Sequence, residues 1–329
     1  APAGREPYGR SHAVAIPVCP STPFDLAVKN PLTQSLRCWR EWRRQQKLHG
    51  RFAFADARMQ VNRVVSPARL HSMAAARSLA NEAEITQAGD AWQVQLRDSG
   101  LSFFWPSDPD QNLHFVIEQE FSAANPHHYT TSPIRLSPES TVFDVGACEG
   151  LFAFRALKDG LAKRVVCFEP SERMAALLHR GAETNGLANG ITIERCGVGS
   201  QTGQSRMIAG DNPDAGYLEY LPSGGSHADA VPVTSIDDYC RSHQSALGPG
   251  DLIKADAEGA DLDVLLGAEE QIRNGAPQLA ITTYHVDVHA ERMIAWLREI
   301  RPDYSLRLKG FSFWTTKPRP VLLQASTLP

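Results

Sequence analysis

From about residue 131 onward, short apolar runs alternate with longer stretches that have the character of amphipathic helices. The predicted strands are 141–145, 164–168, 191–196, 231–236, 251–255, 279–284, 304–308 and 321–324. Buried parallel strands read as continuous apolar segments, and helices must cover both of their faces. We therefore expect an α/β fold with a mostly parallel sheet and helices on both faces.

The first part of the chain has a different pattern. Composition and capping signals predict helices over 32–49, 66–84 and 112–121, and alternation on either side of Asp98-Ser-Gly100 predicts a hairpin over 91–105. We therefore divide the chain into a flexible tail, an α+β accessory (cap) region and the main α/β domain, at residues 1–30, 31–130 and 131–329.

Composition excludes several classes of protein. With 42% hydrophobic residues the chain can form a packed core, and its net charge of −4 gives no global attraction to nucleic acid. No apolar run approaches the roughly 18 residues that a membrane span needs. The six cysteines show neither a C-x-x-C pair nor zinc-finger spacing, which favours buried thiols in a reducing compartment. We therefore expect a cytoplasmic protein.

A candidate ligand site follows the first strand of the main domain. The segment 144–150, Asp-Val-Gly-Ala-Cys-Glu-Gly, opens a helix, with Gly146 for a sharp turn and Gly150 for a close approach. About twenty residues later the second strand ends in Glu169, followed by Pro170. A carboxylate at this spacing can hold both ribose hydroxyls of a nucleoside, so the spacing indicates an adenosine-type ligand.

The glycine spacing and the charges of this turn favour S-adenosylmethionine over a dinucleotide. A dinucleotide fingerprint is G-x-G-x-x-G, whose glycines serve a pyrophosphate, whereas this turn has G-x-x-x-G. The carboxylates of Asp144 and Glu149 repel pyrophosphate but suit an ammonium and a sulfonium group. The alternatives are a nicotinamide site and a turn whose small residues serve packing only. The residues expected to line the cofactor are Asp144, Gly146, Ala147, Glu149, Gly150, Glu169, Pro170, Gly197 and Asp256.

Three charged residues, Lys254, Asp256 and Glu258, occupy alternate positions at the end of a predicted strand. Strand periodicity sends their side chains to one face, where charges are costly unless they are paired or used. One interpretation is a structural Lys254–Asp256 ion pair beside a solvated Glu258. The other is an active-site wall completed by His285, which ends the following strand.

The active-site interpretation has two versions. In the first, His285 removes the proton of a hydroxyl nucleophile directly, because an imidazole titrates near neutrality. In the second, Asp256, Glu258 and His285 bind a divalent metal ion that acidifies the hydroxyl. His289, further along the chain, is expected to face solvent.

Residues that contact the substrate are expected in two places. The polar insertion between residues 199 and 230, which contains Asn212 and Tyr217, is either a lid over the substrate or a surface loop. Lys254 and Tyr284, at the ends of two predicted strands, are the other candidates.

Four motifs in this order resemble the FkbM family of methyltransferases. They are Asp144-Val-Gly-Ala-x-x-Gly150, Phe168-Glu-Pro170, Leu252-Ile-Lys-Ala-Asp-Ala-Glu-Gly259 and Tyr284-His285. The resemblance covers roughly residues 131–329. It implies a class I methyltransferase (Rossmann-like) sheet and O-methylation of a small molecule, a natural product or sugar hydroxyl. Two positions depart from the family: Cys148 stands where a polar residue is frequent, and Asp261 stands where glutamate is usual.

Two rival functions stay open. The basic segment with Arg40, Arg43, Arg44 and Lys47 allows an RNA or protein methyltransferase, although a solvated helix face with Trp39 and Trp42 packed inward is expected. The second rival is a catalytically inactive nucleoside-binding module. We expect a small-molecule partner rather than nucleic acid, and the sequence allows a homodimer without indicating one.

Overall fold

The structure is a computed structural model that describes Leu36, Trp39, Arg40 and Arg43 together with residues 83–123, 125–209, 216–221, 230–312 and 319–329. The predicted tail at 1–30 and most of the predicted helices 32–49 and 66–84 lie outside these residues. The strands are β1 (Ala83–Ala88), β2 (Ala91–Leu96), β3 (Ser102–Trp105), β4 (Thr141–Val145), β5 (Arg164–Phe168), β6 (Ile191–Glu194), β7 (Gly197–Val198), β8 (Gly203–Ala209), β9 (Gly216–Tyr220), β10 (Ala230–Thr234), β11 (Leu252–Ala255), β12 (Gln278–Thr282), β13 (Ser305–Phe311) and β14 (Pro320–Ser326). The α-helices are α1 (Gln111–Phe121), α2 (Leu151–Lys158), α3 (Glu172–Thr184), α4 (Ile236–Ser242), α5 (Asp261–Leu266), α6 (Glu269–Gly275) and α7 (His289–Ile300).

The main sheet joins seven of the described strands in the order β13-β14-β12-β11-β4-β5-β6. The neighbours from β12 to β6 are parallel, whereas β14 is antiparallel to both β12 and β13. The prediction of a mostly parallel sheet is confirmed. Because β4, β5, β11 and β12 run in the same direction, their carboxyl ends lie along one edge, where ligands of such sheets bind.

Helices cover both faces of this sheet. On β4, Val142 enters one hydrophobic cluster with residues of α1, α2 and α3, while Phe143 and Val145 enter a second cluster with residues of α4 to α7. Strand periodicity explains this division, since successive side chains point to opposite faces. No helix in the described ranges has both the length and the apolar character that crossing a bilayer requires.

The predicted hairpin is confirmed as β2 and β3, and β1 adds a third antiparallel strand. The predicted helix 66–84 is wrong at its end, because Ala83 and Glu84 begin β1. The side-chain amide of Asn185, just after α3, bonds both backbone groups of Ser102 on β3. The hairpin thereby packs against the main domain.

The insertion 199–230 was expected to be either a lid over the substrate or a surface loop. Its described residues form strands rather than a loop, and the role of a lid stays a prediction. β8 and β9 form an antiparallel pair, and a four-stranded sheet follows in the order β7-β10-β8-β9. Ladder hydrogen bonds satisfy the backbone here, so a segment with many polar residues still forms strands.

The basic N-terminal segment differs from its prediction at Trp39. This side chain was expected to pack inward, but it is 43% exposed and the guanidinium of Arg43 lies 4.8 Å from its ring centre. Trp42 lies outside the described residues.

Candidate active site

The turn after β4 depends on one glycine. Gly146 has a φ of +72°, and a Cβ atom there would lie 2.1 Å from the backbone oxygen of Asp256. The turns that follow β4 and β11 therefore touch through their backbones. Gly150 has a different role, because its Cβ would overlap Leu178 and Phe154 side chains at 2.8 Å. It lets α2 pack closely against α3.

Glu169 joins the turns after β4 and β5. Its carboxylate accepts hydrogen bonds from the backbone N–H groups of Cys148 (3.0 Å) and Ser171 (2.8 Å). Burial raises the pKa of Glu169 to about 7, against the opposing effect of these two N–H groups. Cys148 has a left-handed φ of +48°, and it contributes its backbone N–H to this contact.

Lys254 pairs with Asp144, not with Asp256 as one interpretation held. The ammonium lies 2.7 Å from the Asp144 carboxylate and donates to the backbone oxygen of Gly146 at 3.1 Å. Asp144 has no exposed surface, and Lys254 is 5% exposed. Burial raises the pKa of Asp144 although Lys254 acts to lower it. The buried pair of Lys254 and Asp144 therefore stabilises the turn that follows β4.

The strand β11 ends at Ala255, as predicted, so strand periodicity does not continue through Asp256 and Glu258. Asp256 and Glu258 lie in the turn after Ala255, so they do not share a strand face with Lys254. Glu258 has a left-handed φ of +48°, a conformation that costs a non-glycine residue roughly 1–3 kcal/mol. The turn nevertheless brings the Asp256 and Glu258 carboxylates close to His285. Both carboxylates lie within 4 Å of its Nε2 atom.

His285 lies among three carboxylates just beyond the end of β12. Its Nδ1 is 2.9 Å from Asp261, and its Nε2 is 3.4 Å from Glu258 and 3.6 Å from Asp256. Burial alone would lower the pKa of His285, but the carboxylates of Asp261 and Glu258 raise it well above its ordinary value. Asp256, Glu258 and His285 offer ligand atoms that all lie within 4.8 Å of one another, which is close enough for one metal ion.

Three residues that orient this group were missed as site residues. Asp261, fully buried at the start of α5, accepts the backbone N–H groups of Ala257 (2.8 Å) and Gly259 (3.2 Å). The hydroxyl of Thr282 is 2.7 Å from Asp261 and 3.2 Å from Asp256. Tyr129 donates to the other oxygen of Asp256 at 2.9 Å.

Of the remaining cofactor candidates, three lie at the turns after β4 and β5, and one lies on β7. Ala147 and Glu149 are buried within the turn after β4, and Pro170 is partly buried beside Glu169. Gly197 lies on β7, where a Cβ would come within 2.2 Å of the Leu218 side chain. Its small size therefore lets β9 pack against β7.

The substrate candidates are more scattered. The Tyr284 ring lies 4.1 Å from the His285 ring, whereas Tyr217 is exposed on β9 and Asn212 is outside the described residues. His289 was expected to face solvent, and this is wrong: it is 5% exposed at the start of α7. It lies one turn before the buried Met293, on the stripe that packs against the sheet.

Comparisons with known proteins identify the main domain. Residues 144–305 match the family model described as "Methyltransferase FkbM domain". The curated 31-O-demethyl-FK506 methyltransferase FkbM of Streptomyces tacrolimicus is 26% identical in an alignment of 200 positions that covers 52% of this chain and 75% of the relative.

Two solved structures give weaker similarities. Methyltransferase FkbM from Methylobacillus flagellatus KT is 22% identical with a TM-score of 0.43, covering 81% of this chain but only 60% of its own length. An rRNA methylase from Streptococcus thermophilus is 14% identical with a TM-score of 0.37, covering 59% of this chain and 90% of its own. On the family match and the motif positions, residues 144–305 of this chain form a methyltransferase domain of the FkbM family.

Proposed function

We propose that the chain transfers the methyl group of S-adenosylmethionine to a hydroxyl oxygen of a small molecule, a natural product or a sugar. One observation carries the proposal: Asp256, Glu258 and His285 converge at the sheet edge that also holds Gly146 and Glu169. The name of the Streptomyces tacrolimicus relative specifies a substrate that lacks a methyl group on oxygen, which supports an oxygen acceptor.

For the cofactor, the geometry favours a division of roles. Glu169 is the residue we assign to the ribose hydroxyls, because its oxygens lie at the end of β5 and are already oriented by two N–H groups. Asp144 is fully buried against Lys254, so we assign it a supporting role beneath the turn. Gly146 keeps the backbone of that turn close to Asp256.

The pKa of Glu169 leads to a pH-dependent affinity. The ionised carboxylate accepts both ribose O–H groups, so we expect affinity for S-adenosylhomocysteine to fall as pH decreases through about 7. Between pH 8 and pH 6 the loss is about tenfold for a single group of this pKa. Calorimetric titration over this range measures it.

Glu169→Gln should remove this pH dependence and weaken binding at pH 8 by roughly 10–100-fold, since hydrogen bonds to a charged group contribute about 1.5–3 kcal/mol. Glu172→Gln is the matched control, because Glu172 pairs with Arg195 at the surface. A pH dependence that persists in Glu169→Gln would show that another group is responsible.

In the transfer itself, the substrate oxygen forms a bond to the methyl carbon while the carbon–sulfur bond breaks and sulfur keeps the electron pair. The hydroxyl proton must pass to solvent, and we assign the activation of the hydroxyl to Asp256, Glu258 and His285. Removing a group that activates a nucleophile costs about 10²–10⁴-fold in rate. His285→Ala should therefore lower kcat by about 100-fold or more while leaving S-adenosylhomocysteine affinity within about a factor of three.

His179→Ala is the control for that variant, because His179 forms an exposed histidine–glutamate pair on α3. It should leave kcat unchanged. If His285→Ala keeps full turnover, His285 has no part in the mechanism.

The substrate class is tested by labelled methyl transfer to a panel of hydroxylated metabolites, sugars, proteins and RNA. We expect label only in hydroxyl-bearing small molecules. The exposed Trp39–Arg43 contact is the one described feature that favours RNA. RNA as the sole acceptor, with binding that weakens steeply as salt is added, would refute the proposal. Cofactor binding without transfer to any class would favour an inactive nucleoside-binding module.

A further inference from the structure

The gap between Asp256, Glu258 and His285 has the dimensions of a metal site. Nε2 of His285 lies 3.4 Å from one oxygen of Glu258 and 3.6 Å from one oxygen of Asp256. In octahedral coordination with bonds of about 2.1 Å, neighbouring ligand atoms lie about 3 Å apart. The three ligand atoms all lie within 4.8 Å of one another, so an inward movement of the two carboxylates would bring them to the spacing of one octahedral face.

The imidazole provides an independent observation. The His285 side chain is nine-tenths buried, and its Nε2 has no hydrogen bond of normal geometry, since the nearest acceptors are the carboxylates of Glu258 at 3.4 Å and Asp256 at 3.6 Å. A buried ring nitrogen without a well-formed hydrogen bond requires an explanation. Because Nδ1 is bound to Asp261, Nε2 is the atom that faces the gap between the carboxylates. A carboxylate that holds the far nitrogen of a histidine is the usual support of a metal-binding imidazole.

The carboxylates of Asp256 and Glu258 are also placed where they can act as metal ligands. Tyr129 donates to Oδ2 of Asp256, whereas Oδ1, which lies 3.2 Å from the Thr282 hydroxyl, is the oxygen that faces His285. Glu258 is 41% exposed in its side chain, so the gap opens toward solvent on that side. Three protein ligands on one face leave open positions for water or for a substrate oxygen.

We propose that Asp256, Glu258 and His285 bind one divalent cation, with Asp261 as the residue that positions His285. Two carboxylate oxygens and one imidazole nitrogen suit Mn²⁺, which accepts both kinds of ligand. Binding requires the neutral imidazole and releases its proton to solvent.

This inference rests on the proposed function for its catalytic consequence. A substrate hydroxyl bound to the cation loses its proton to solvent more easily, and its oxygen then takes the methyl group as sulfur keeps the electron pair. The cation thus activates the acceptor, and the imidazole serves as its ligand.

Electron paramagnetic resonance of Mn²⁺ added to the full chain, without cofactor or substrate, tests the site. We expect one Mn²⁺ bound per chain and a nitrogen hyperfine coupling from the imidazole in pulsed spectra. Glu258→Gln should weaken Mn²⁺ binding at least tenfold, and His285→Gln should abolish the nitrogen coupling. Asp261→Asn should weaken binding by roughly 10–100-fold, as expected for a residue that orients a ligand.

The matched control is Glu183→Gln, because Glu183 forms a histidine–glutamate pair with His179 at the surface. It should bind Mn²⁺ as the unchanged chain does. Absence of Mn²⁺ uptake, or uptake that Glu258→Gln leaves unchanged, overturns the inference whether or not the chain methylates a hydroxyl. Mn²⁺ uptake with the nitrogen coupling but no methyl transfer keeps the metal site and refutes the proposed function instead.

Discussion

Lys254→Met should lower the free energy of unfolding by about 3–5 kcal/mol at neutral pH, because it leaves a buried carboxylate without its partner. Asp144 has no exposed surface, and the Lys254 ammonium is the cation that contacts it, at 2.7 Å. Methionine preserves the apolar stem of lysine, so the change isolates the loss of charge. Urea unfolding at pH 7 measures the effect.

The loss of stability in Lys254→Met should depend on pH in a characteristic way. Burial already raises the pKa of Asp144, and removing Lys254 raises that pKa further. The protonated carboxyl is the form that the folded variant tolerates, so the destabilisation should shrink as pH falls from 7 toward 5.

Two further variants serve as controls. Asp144→Asn combined with Lys254→Met should recover most of the lost stability, since replacing both members of a buried pair is often neutral. Lys163→Met breaks the exposed pair with Glu139 and should barely shift the unfolding midpoint. Equal losses for Lys254→Met and Lys163→Met would contradict the structural role of the buried pair.

Gly146→Ala should reduce turnover by at least about 100-fold, because a misplacement of about 1 Å at the reacting groups costs that much. The new methyl group would lie 2.1 Å from the backbone oxygen of Asp256, so the turns after β4 and β11 must separate. That movement displaces the predicted cofactor turn and the Asp256 carboxylate together. Turnover and S-adenosylhomocysteine affinity should therefore both fall.

Gly160→Ala separates this clash from backbone strain. Gly160 also has a positive φ, +66°, but nothing lies within 4 Å of the Cβ position. We expect Gly160→Ala to lose some stability and keep the turnover of the unchanged chain. Circular dichroism confirms that each variant is folded before its turnover is compared. Full activity of Gly146→Ala would show that the two turns need not touch.

The main sheet could be predicted from the sequence because its strands are buried on both faces and read as apolar runs. The insertion 199–230 could not, since its strands satisfy their backbone by pairing and do not show an apolar run. The burial of His289 was available in principle, because His289, Met293 and Leu297 follow helical spacing along one stripe.

The sequence predicts the site residues that lie at the ends of strands. It does not predict the contacts that these residues make with side chains far away in the chain. Asp144 and Lys254 lie opposite each other on β4 and β11, but the register of two strands far apart in the chain is not visible in either segment. Tyr129 comes from the stretch before the main domain and reaches Asp256 only after folding. Asp261 follows the Leu252–Gly259 motif by two residues and was noted only as a departure from the family, because its contact with His285 depends on how α5 packs beside β12.

Calorimetric titration of the intact chain with S-adenosylmethionine tests the central claim most directly. We predict one binding site per chain, weakened by Glu169→Gln and unaffected by His285→Ala. This result would place the cofactor at the carboxyl ends of β4 and β5, with the Asp256–Glu258–His285 group left for the acceptor. No saturable binding by the intact chain, or binding that Glu169→Gln leaves unchanged, would contradict the account.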